Sequence, residues 1–355
     1  MPSPSRALRR ACFTAVCLAA AAASGRAQGA PRIAEQASGV TPLLQAVHAA
    51  SDTVVWASGH GGVVLRTVNG GTTWERRPTP AGDSLEFRDV HALNADTAWI
   101  LSAGTGAKSR IYRTTDGGAS WSLQFLNPDT AAFYDCLSFG SRTEGVAFGD
   151  ASQGRTNLLR TDDGGRSWHL LPPTAVPAPL PGEGAFAASG LCVGHGNAST
   201  VYVATGAPGA RLFRSGDGGR TWTVETTPLT RGTAAGLTGL SFMDGRRGLV
   251  VAADIDRLRT DTSRAVVGLT SDGGRTWEVR TRPPLPGALA GVAWVPAVGR
   301  GVAVASGYGG AFFTVDEARS WTTITDQVTT GVSASGRTAW VVGAGGRIWR
   351  LDWSR

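Results

Sequence analysis

The sequence predicts an all-β fold, a single seven-bladed β-propeller, from three observations. A turn of the form Asp-Gly-Gly-x-Ser/Thr-Trp recurs six times, with small changes, along the 355 residues. Its tryptophans are spaced by 47, 47, 54, 55 and 44 residues, a period typical of one propeller blade per repeat. Each unit consists of short β-rich runs separated by Gly-rich turns, and no helical period of useful length is present. The six tryptophans are Trp74, Trp121, Trp168, Trp222, Trp277 and Trp321.

Alignment of the units predicts seven inner strands, one per blade. They fall near residues 44–49, 87–93, 133–139, 187–193, 236–242, 289–295 and 330–334. The seventh unit stops before a repeat turn and an outer strand, which would leave an exposed strand edge. We expect the unassigned run 32–40 to supply that strand and to close the ring by pairing the two ends of the chain.

The repeated turn contains residues that fix a tight hairpin locally. An Asp in a turn accepts hydrogen bonds from the amides that follow it, and the Gly pair after it adopts positive φ at no steric cost. The Trp, which buries roughly 200 Å² or more, is expected to fill the wedge between neighbouring blades. We therefore predict a structural role for the six tryptophans and for Asn69, Asp116, Asp163, Asp217, Asp272 and Asp316.

These turns resemble the Asp-box, or BNR repeat, which lies between the third and fourth strands of a blade in its family. The resemblance covers nearly all of residues 28–355. It implies a propeller of the class that includes sialidases, xyloglucan-cleaving glycosidases, sortilin-like receptors and photosystem II stability/assembly factors, and a compact single propeller is most similar to the last group. Two copies depart from the pattern, with Asn69 for Asp and Glu317-Ala318 for the glycines. We expect the sixth turn to be looser.

Residues 1–27 have the features of a secretory signal peptide. Arg6, Arg9 and Arg10 precede an apolar run at 11–23 and small residues that end at Ala27. An apolar run of 13 residues is shorter than the roughly 20 that a membrane-spanning helix needs. We expect cleavage after Ala27, export to the periplasm or beyond, and a mature propeller domain of residues 28–355 without a transmembrane segment.

Charge and cysteine content limit the classes of partner. Loss of the leader removes four of the 34 basic residues and leaves 30 against 27 acidic ones. The arginines are spread through the repeats, so a nucleic-acid footprint is not indicated. Cys136 and Cys192 remain in the mature chain, and an oxidising compartment permits a disulfide between them. The sequence leaves that bridge and two buried thiols as open alternatives.

Candidate ligand residues lie on the face expected to be opposite the repeat turns, around the channel mouth. Loops on a rigid scaffold often carry function, and two irregular segments interrupt the repeat, at 172–184 and 254–264. Glu183 is the first candidate for a ligand contact. A carboxylate that a long loop carries into the channel mouth is not needed there for packing, which favours a functional role. The ligand-face candidates are Arg88, Asp89, Tyr134, Asp135, Asp150, Glu183, Arg257 and Tyr308; the candidates for any catalytic role are Glu183, Asp135 and Asp254.

Each candidate also has a structural interpretation. Asp89 and Asp135 could simply accept hydrogen bonds from loop amides, and Asp150 follows a glycine at a turn, where Asp is common. The two irregular segments could be tolerated surface insertions. The histidines are scattered without ligand spacing, and no Gly-x-Gly-x-x-Gly or Cys-x-x-Cys motif is present, so we predict neither a metal nor a cofactor.

We expect a non-enzymatic, monomeric scaffold that binds a protein or peptide partner in the assembly or quality control of an envelope complex. The alternative is a carbohydrate-binding protein or a glycosidase that uses two carboxylates roughly 5 to 9 Å apart. A sialidase is disfavoured, because Tyr112 and Tyr202 lie in apolar strand runs, where packing explains them.

Overall fold

Seven four-stranded antiparallel sheets surround a central channel in the computed structural model, which describes Met1, residues 29–80 and residues 82–354. This confirms the seven-bladed β-propeller. Residues 2–28 lie outside the described part of the chain, so the signal peptide and its cleavage remain predictions.

The strands follow one another from the inner to the outer edge of each blade. After β1 (Arg32–Gln36), blade 1 comprises β2 (Leu44–Ala49), β3 (Val55–Gly59), β4 (Val64–Thr67) and β5 (Glu75–Arg76); blade 2, β6 (Glu86–Ala92), β7 (Ala98–Ala103), β8 (Arg110–Thr114) and β9 (Ser122–Leu126); blade 3, β10 (Tyr134–Phe139), β11 (Gly145–Ser152), β12 (Arg155–Thr161) and β13 (His169–Leu170). Blade 4 comprises β14 (Val193–His195), β15 (Val201–Ala204), β16 (Arg211–Ser215) and β17 (Thr223–Thr226); blade 5, β18 (Ala235–Phe242), β19 (Gly248–Asp254), β20 (Val267–Thr270) and β21 (Glu278–Val279). Blade 6 comprises β22 (Leu289–Trp294), β23 (Ala303–Gly307), β24 (Gly310–Thr314) and β25 (Thr322–Thr325); blade 7, β26 (Thr329–Ser335), β27 (Thr338–Gly343), β28 (Ile348–Asp352) and β1. Short 3-10 turns lie at Gly82–Ser84, Gly106–Lys108, Pro173–Ala175, Ile255–Arg257 and Ala344–Gly346.

The ring is closed by the two ends of the chain. Strand β1 pairs antiparallel with β28, in register from Arg32 opposite Asp352 to Gln36 opposite Ile348. The N-terminal strand therefore becomes the outer strand of blade 7, as predicted. Because β1 covers the edge of β28, blade 7 has the same four strands as its neighbours.

Each repeat turn is held by its own side chains. In the third copy, the Thr161 hydroxyl donates to Asp163 Oδ1 at 2.8 Å, and the same oxygen accepts from the Ser167 amide at 3.0 Å. The Ser167 hydroxyl donates to Asp163 Oδ2 at 2.7 Å. Gly164 and Gly165 adopt φ values of 76° and 71°, as the turn requires. The predicted turn chemistry is thus present in the structure.

The expectation that the sixth turn is looser is wrong. Asp316 makes the same contacts as its counterparts, accepting from the Ser320 amide at 2.9 Å and from the Ser320 hydroxyl at 2.6 Å. Glu317 and Ala318 both adopt φ of 63°, a region that favours glycine. Glu317 forms an ion pair with Arg247, and this contact together with the conserved turn hydrogen bonds holds the strained backbone.

Arginines on several third strands join each blade to the next. Arg350 of blade 7 lies 5.6 Å from the ring centre of Trp340 and donates to the carbonyl of Gly70, in the repeat turn of blade 1, at 2.7 Å. Arg160 of blade 3 donates in the same way to Gly218 in the turn of blade 4. The repeat turns therefore serve as inter-blade contacts as well as hairpins.

A disulfide joins the inner edges of blades 3 and 4. Cys136 and Cys192 are both fully buried, and their Cα atoms are 5.9 Å apart. Their separation of 56 residues makes this a non-local cross-link. Of the two alternatives that the sequence left open, the structure has the disulfide.

Candidate functional site

The strand pairing of six inner strands is interrupted by a β-bulge or similar shift, and in blades 1, 2, 3 and 5 the bulged side chain lines the mouth of the central channel. The strand pairing shifts between Leu44 and Ala46 in blade 1, and equivalent shifts occur in blades 2, 3, 5, 6 and 7. Bulges re-aim side chains, and the bulged positions carry different residue types from one blade to the next. In the first five of these strands the bulge residues are Gln45, Arg88, Asp135, Thr238 and Ala290.

Blade 4 departs from this pattern, because its inner strand β14 is only three residues long. The preceding residues 185–191, which we call the plug segment, leave the blade and cross the channel. Gln45 of blade 1 donates to the carbonyls of Ala187 and Ala188, at 3.2 and 2.6 Å. Ser189 donates to Ala290 of blade 6 at 2.8 Å. The plug segment thus extends from blade 4 to blades 1 and 6 and separates two cavities.

The first cavity, which we call the mouth cavity, has a volume of about 360 Å³. It lies at the end of the channel where the inner strands begin. The repeat turns are at the other end, since Leu44 pairs with Gly59 whereas Val55 pairs with Thr67, which opens the first turn. Its walls are mainly apolar and include Leu43, Phe133, Ala185, Phe186, Ile255, Leu258 and Leu289, while its polar lining consists of Gln45, His60, Arg88, Asp135, Asp150, Thr238 and Tyr308.

Two carboxyl groups meet in this cavity. Asp135 and Asp150 are linked by a side-chain hydrogen bond, so one of the two must carry a proton. Burial raises the pKa of Asp135 well above its usual value, and the neighbouring charge of Asp150 raises it further. Burial also raises the pKa of Asp150, to about 6, against the opposing hydrogen bond from the Ala185 amide. Burial and this contact therefore disfavour the state in which both carboxyl groups are ionised.

Gly184 allows the plug segment to approach this pair. A Cβ atom on Gly184 would lie 1.9 Å from Asp150 Oδ1, closer than any side chain permits. The adjacent Ala185 amide donates to the same oxygen at 3.1 Å. The geometry of the carboxyl pair therefore depends on the glycine that directly precedes the plug segment, 34 residues along the chain from Asp150.

Arg88, the cationic side chain beside the carboxyl pair, already forms an ion pair with Glu86. Arg88 donates to Glu86 Oε2 through Nε at 3.0 Å and through a terminal nitrogen at 2.6 Å. His60 Nε2 lies 3.1 Å from Gln45 Oε1, and burial lowers the pKa of His60, which keeps its ring neutral at pH 7. Burial raises the pKa of Tyr308, so its hydroxyl keeps its proton.

The prediction that Glu183 enters the mouth as a free carboxylate requires correction. Its side chain is 2% exposed and forms an ion pair with Arg211. Its two oxygens also accept from the Thr205 hydroxyl at 2.8 Å and from the Leu180 amide at 2.9 Å. These contacts use its acceptor capacity and anchor the Pro-rich segment, so Glu183 has the packing reason that the sequence did not show.

Asp89 and Tyr134 also lie away from the mouth cavity. Asp89 is buried and accepts from the Leu137 amide at 2.6 Å, which joins the inner strands of blades 2 and 3. This is the structural interpretation that the sequence allowed. Tyr134 packs edge-to-face against Phe125, with ring centres 5.3 Å apart, in the interface between the same two blades.

The charged residues of the 254–264 segment support that loop. Asp254 Oδ1 accepts from the Asp256 amide at 3.1 Å and begins a short 3-10 turn, and Arg257 is an exposed partner of Asp254 at 3.5 Å. The residues of this turn that line the mouth cavity are Ile255 and Leu258. The insertion therefore contributes apolar wall to the site, and Asp254 holds that wall in place.

Histidines that look scattered in the sequence meet in a second cavity of about 170 Å³, below the plug segment. The rings of His48 and His91 are 4.1 Å apart, and His195 lines the same cavity with Asp89. Burial lowers the pKa of His48 and of His195 to about 4, so both are neutral at pH 7. Nevertheless, no group of three or more His, Cys, Asp or Glu residues in the described chain has an arrangement that could hold a metal ion.

Two residues of the mouth cavity were missed, Gln45 and Thr238. Both occupy the bulged position of an inner strand, as Arg88 and Asp135 do in blades 2 and 3. A comparison of this one column across the repeats would have revealed the variable polar side chains. His48 and His91 likewise share one register position, each directly opposite a buried Trp of the next strand.

Comparison with known proteins shows that this chain is similar to solved structures of other propellers. No family model matches the chain, and no curated protein matches it. A structure of YCF48 bound to a D1 peptide is similar, with a TM-score of 0.63 at 15% identity, over 92% of this chain and 98% of that one. YCF48 from Cyanidioschyzon merolae has a TM-score of 0.61 at 17% identity, over 91% and 99%. The shared property is the propeller fold.

A glycoside hydrolase structure is similar to the same degree. The GH74 enzyme of Niastella koreensis has a TM-score of 0.64 at 15% identity, over 89% of this chain but only 53% of the enzyme. This chain therefore corresponds to about half of that enzyme. Within the described residues, no helix is long and apolar enough to cross a membrane.

Proposed function

We propose that this protein is an exported propeller that binds a peptide segment of a partner protein at the mouth cavity, in the assembly or quality control of an envelope complex. The observation that carries the proposal is the contrast between a regular ring and one irregular cavity, which bulge residues and the plug segment build together. Such a cavity, apolar with a few convergent polar groups, is typical of a binding site.

The size and shape of the cavity suit a peptide side chain. A volume of about 360 Å³ is at the small end of the range for ligand pockets, roughly 300 to 1,000 Å³, and accommodates one or two side chains. The structural similarity to YCF48, seen with a D1 peptide, supports a peptide ligand on this fold. Because fold alone does not determine function, the proposal depends on the cavity.

Export has separate support. The disulfide between Cys136 and Cys192 is typical of an oxidising compartment, and the sequence of residues 1–27 has the character of a cleavable leader. We also propose that the repeat turns belong to the Asp-box class, since they combine its residue pattern with its position between third and fourth strands.

The carbohydrate alternative is less well supported by the carboxyl geometry. A glycosidase needs two carboxyl groups roughly 5 to 9 Å apart, with room for a sugar between them. Asp135 and Asp150 are instead in direct hydrogen-bonding contact. Glu183 is committed to Arg211, and Asp254 begins a turn, so neither supplies the second group.

The proposal is tested by selecting binding peptides from a displayed random library and measuring their affinity for two matched variants. Leu258→Asp places a charge on the wall of the mouth cavity, whereas Leu123→Asp places the same charge on the outer strand of blade 2. Both leucines are exposed, by 38% and 49%, so both variants are expected to fold.

We expect Leu258→Asp to weaken peptide binding at least tenfold and Leu123→Asp to leave it unchanged. A library that yields no binding peptide, or peptides that bind both variants equally well, would contradict the proposal. Turnover of chromogenic glycosides by the wild-type chain would favour the carbohydrate alternative instead.

A further inference from the structure

The Asp135 carboxyl group has unused hydrogen-bonding capacity inside the mouth cavity. Its side chain is 1% exposed, and Oδ2 has no hydrogen-bond donor from the described residues. The one side-chain hydrogen bond that Asp135 makes is the proton shared with Asp150. A carboxyl group offers about four acceptor sites, and leaving buried acceptors unpaired is costly. The cavity therefore lacks a donor that a ligand could supply.

The charge around the pair favours a cationic donor. At pH 7, above the pKa of about 6 of Asp150, the Asp135–Asp150 pair carries a negative charge. Arg88 forms an ion pair with Glu86, and its remaining influence lowers the pKa of Asp135 less than burial and Asp150 raise it, while His60 and Tyr308 are uncharged. The groups that face the pair thus sum to about one negative charge in a largely apolar cavity, where an opposite charge is strongly attracted.

We propose that the mouth cavity binds a primary ammonium group carried on an apolar stem, with the ammonium at the Asp135–Asp150 pair and the stem against Leu43, Phe186 and Leu258. In a peptide ligand this group is a lysine side chain or a free N-terminus. The inference rests on the proposed function for the ligand being a peptide, but the chemistry of the cavity can be tested without one.

The geometry favours an ammonium over a guanidinium group or an anion. Guanidinium groups bind carboxylates in a two-pronged fork, whereas Asp150 Oδ1 is already occupied by the Ala185 amide and the free acceptors are on Asp135. An ammonium is a compact donor, and its three N–H groups do not require two acceptors arranged as a fork. An anionic ligand would meet the negative pair, and the guanidinium of Arg88 is already committed to Glu86.

Binding of an ammonium group should displace the shared proton. As the proton leaves, both carboxyl groups become charged and both accept from the ligand. Affinity is therefore expected to rise with pH through the range in which the pair loses its proton, and one proton should be released for each ammonium bound. A lysine side chain, with a pKa near 10, remains protonated throughout this range, whereas an α-ammonium, with a pKa near 8, begins to lose its own proton above about pH 7.

The inference is tested by calorimetric titration of the full chain with three probes that differ in the amine. N-acetyl-lysine methylamide carries only the side-chain ammonium, norleucine methylamide only the α-ammonium, and N-acetyl-norleucine methylamide neither. We expect one of the first two to bind at least tenfold more tightly than the neutral probe, and the better of them identifies the source of the group.

The variants Asp135→Asn and Asp150→Asn should each remove that preference, with the mouth otherwise intact. Asp244→Asn, in a loop at the opposite end of the channel, is the matched control and should retain it. Titration in two buffers of different ionisation enthalpy counts the proton released. Should Asp135→Asn fail to fold, Asp150→Asn and the proton count still decide the question.

Equal affinity for the three probes, or an ammonium preference that survives both variants, would overturn the inference. Failure of the inference and failure of the proposed function are distinguishable. Library peptides that bind at the mouth without an ammonium requirement would retain the function and reject the inference. Amine probes that bind while no library peptide does would retain the amine site and reject the peptide function.

Discussion

The aspartates at the two ends of the channel have opposite electrostatic environments. In the repeat turns, burial would raise the pKa of Asp217, but hydrogen bonds from the Thr221 hydroxyl and amide and from Ser215 lower it to about 2. In the mouth cavity, burial prevails and raises the pKa of Asp150 to about 6. The same residue type is thus stabilised as an anion at one end and held close to protonation at the other.

The difference lies in where the donors come from. The donors to Asp217 are within four residues along the chain, so the sequence motif brings its own hydrogen bonds and can be repeated. The mouth aspartates are brought together by a bulge, a hairpin and a plug segment, and they receive few donors. Repetition therefore marks structural residues in this protein, while the unrepeated positions provide the candidate binding chemistry.

Removing a repeat-turn aspartate should give the largest effect on stability. Asp163→Ala deletes the acceptor of four hydrogen bonds and leaves their donors unpaired. We expect a loss of about 2 kcal/mol in the free energy of unfolding, measured by urea denaturation. Peptide affinity should not change. A variant that unfolds at the wild-type urea concentration would show that the turns are not structural.

The pH dependence of stability should have opposite signs for an aspartate in the mouth cavity and an aspartate in a repeat turn. Because the folded pKa of Asp150 lies above its unfolded value near 4, its favourable contribution is complete below pH 4 and is lost as pH rises to about 6. Asp150→Asn should therefore gain stability relative to the wild type across this window, by on the order of 2 kcal/mol. Urea denaturation of both proteins between about pH 3.5 and about pH 7.5 measures this difference in stability.

Asp272→Asn is the matched control for that titration. Burial would raise the pKa of Asp272, but the hydrogen bonds from Thr276 lower it to about 2. The contribution of Asp272 to stability is therefore present above pH 4 and is lost as pH falls towards 2. The control should be less stable than the wild type above pH 4. The comparison would fail if the two variants shifted stability in the same direction between about pH 4 and pH 6.

The smallest expected effect concerns the sixth repeat turn. Ala318 is fully buried at a φ of 63°, which costs about 1 kcal/mol for a residue other than glycine. Ala318→Gly should relieve this strain and raise the melting temperature slightly, measured by calorimetry. Gly274→Ala, the equivalent position in blade 5, should lower it. No difference between the two variants would argue against strain at this turn.

The ring was predictable from the sequence, because its determinants are local and repeated. The period of the tryptophans, the chemistry of the turns and the missing seventh outer strand predicted the blades and the closure by β1. Of the mouth residues, Arg88, Asp135, Asp150 and Tyr308 were predicted correctly to lie near the cavity, because connections that enter inner strands and turns between second and third strands share the end of the ring opposite the repeat turns.

The rest of the site depends on contacts between distant residues. Glu183 was chosen as a free carboxylate because its partner, Arg211, is 28 residues away and ordinary in its own strand. The plug segment looked like a blade 4 inner strand, and its crossing is held by Gln45, more than 140 residues earlier. Such pairings have no local pattern, so only the folded structure reveals them.

The most direct test of the division between structural and binding ends is hydrogen–deuterium exchange of the chain with and without a selected peptide. We expect the peptide to slow exchange in segments 43–45, 185–189, 255–258 and 306–309, which surround the mouth cavity. The repeat turns at 69–74, 163–168 and 272–277 should exchange at the same rate in both samples. Protection at the repeat turns with none at the mouth would contradict the account.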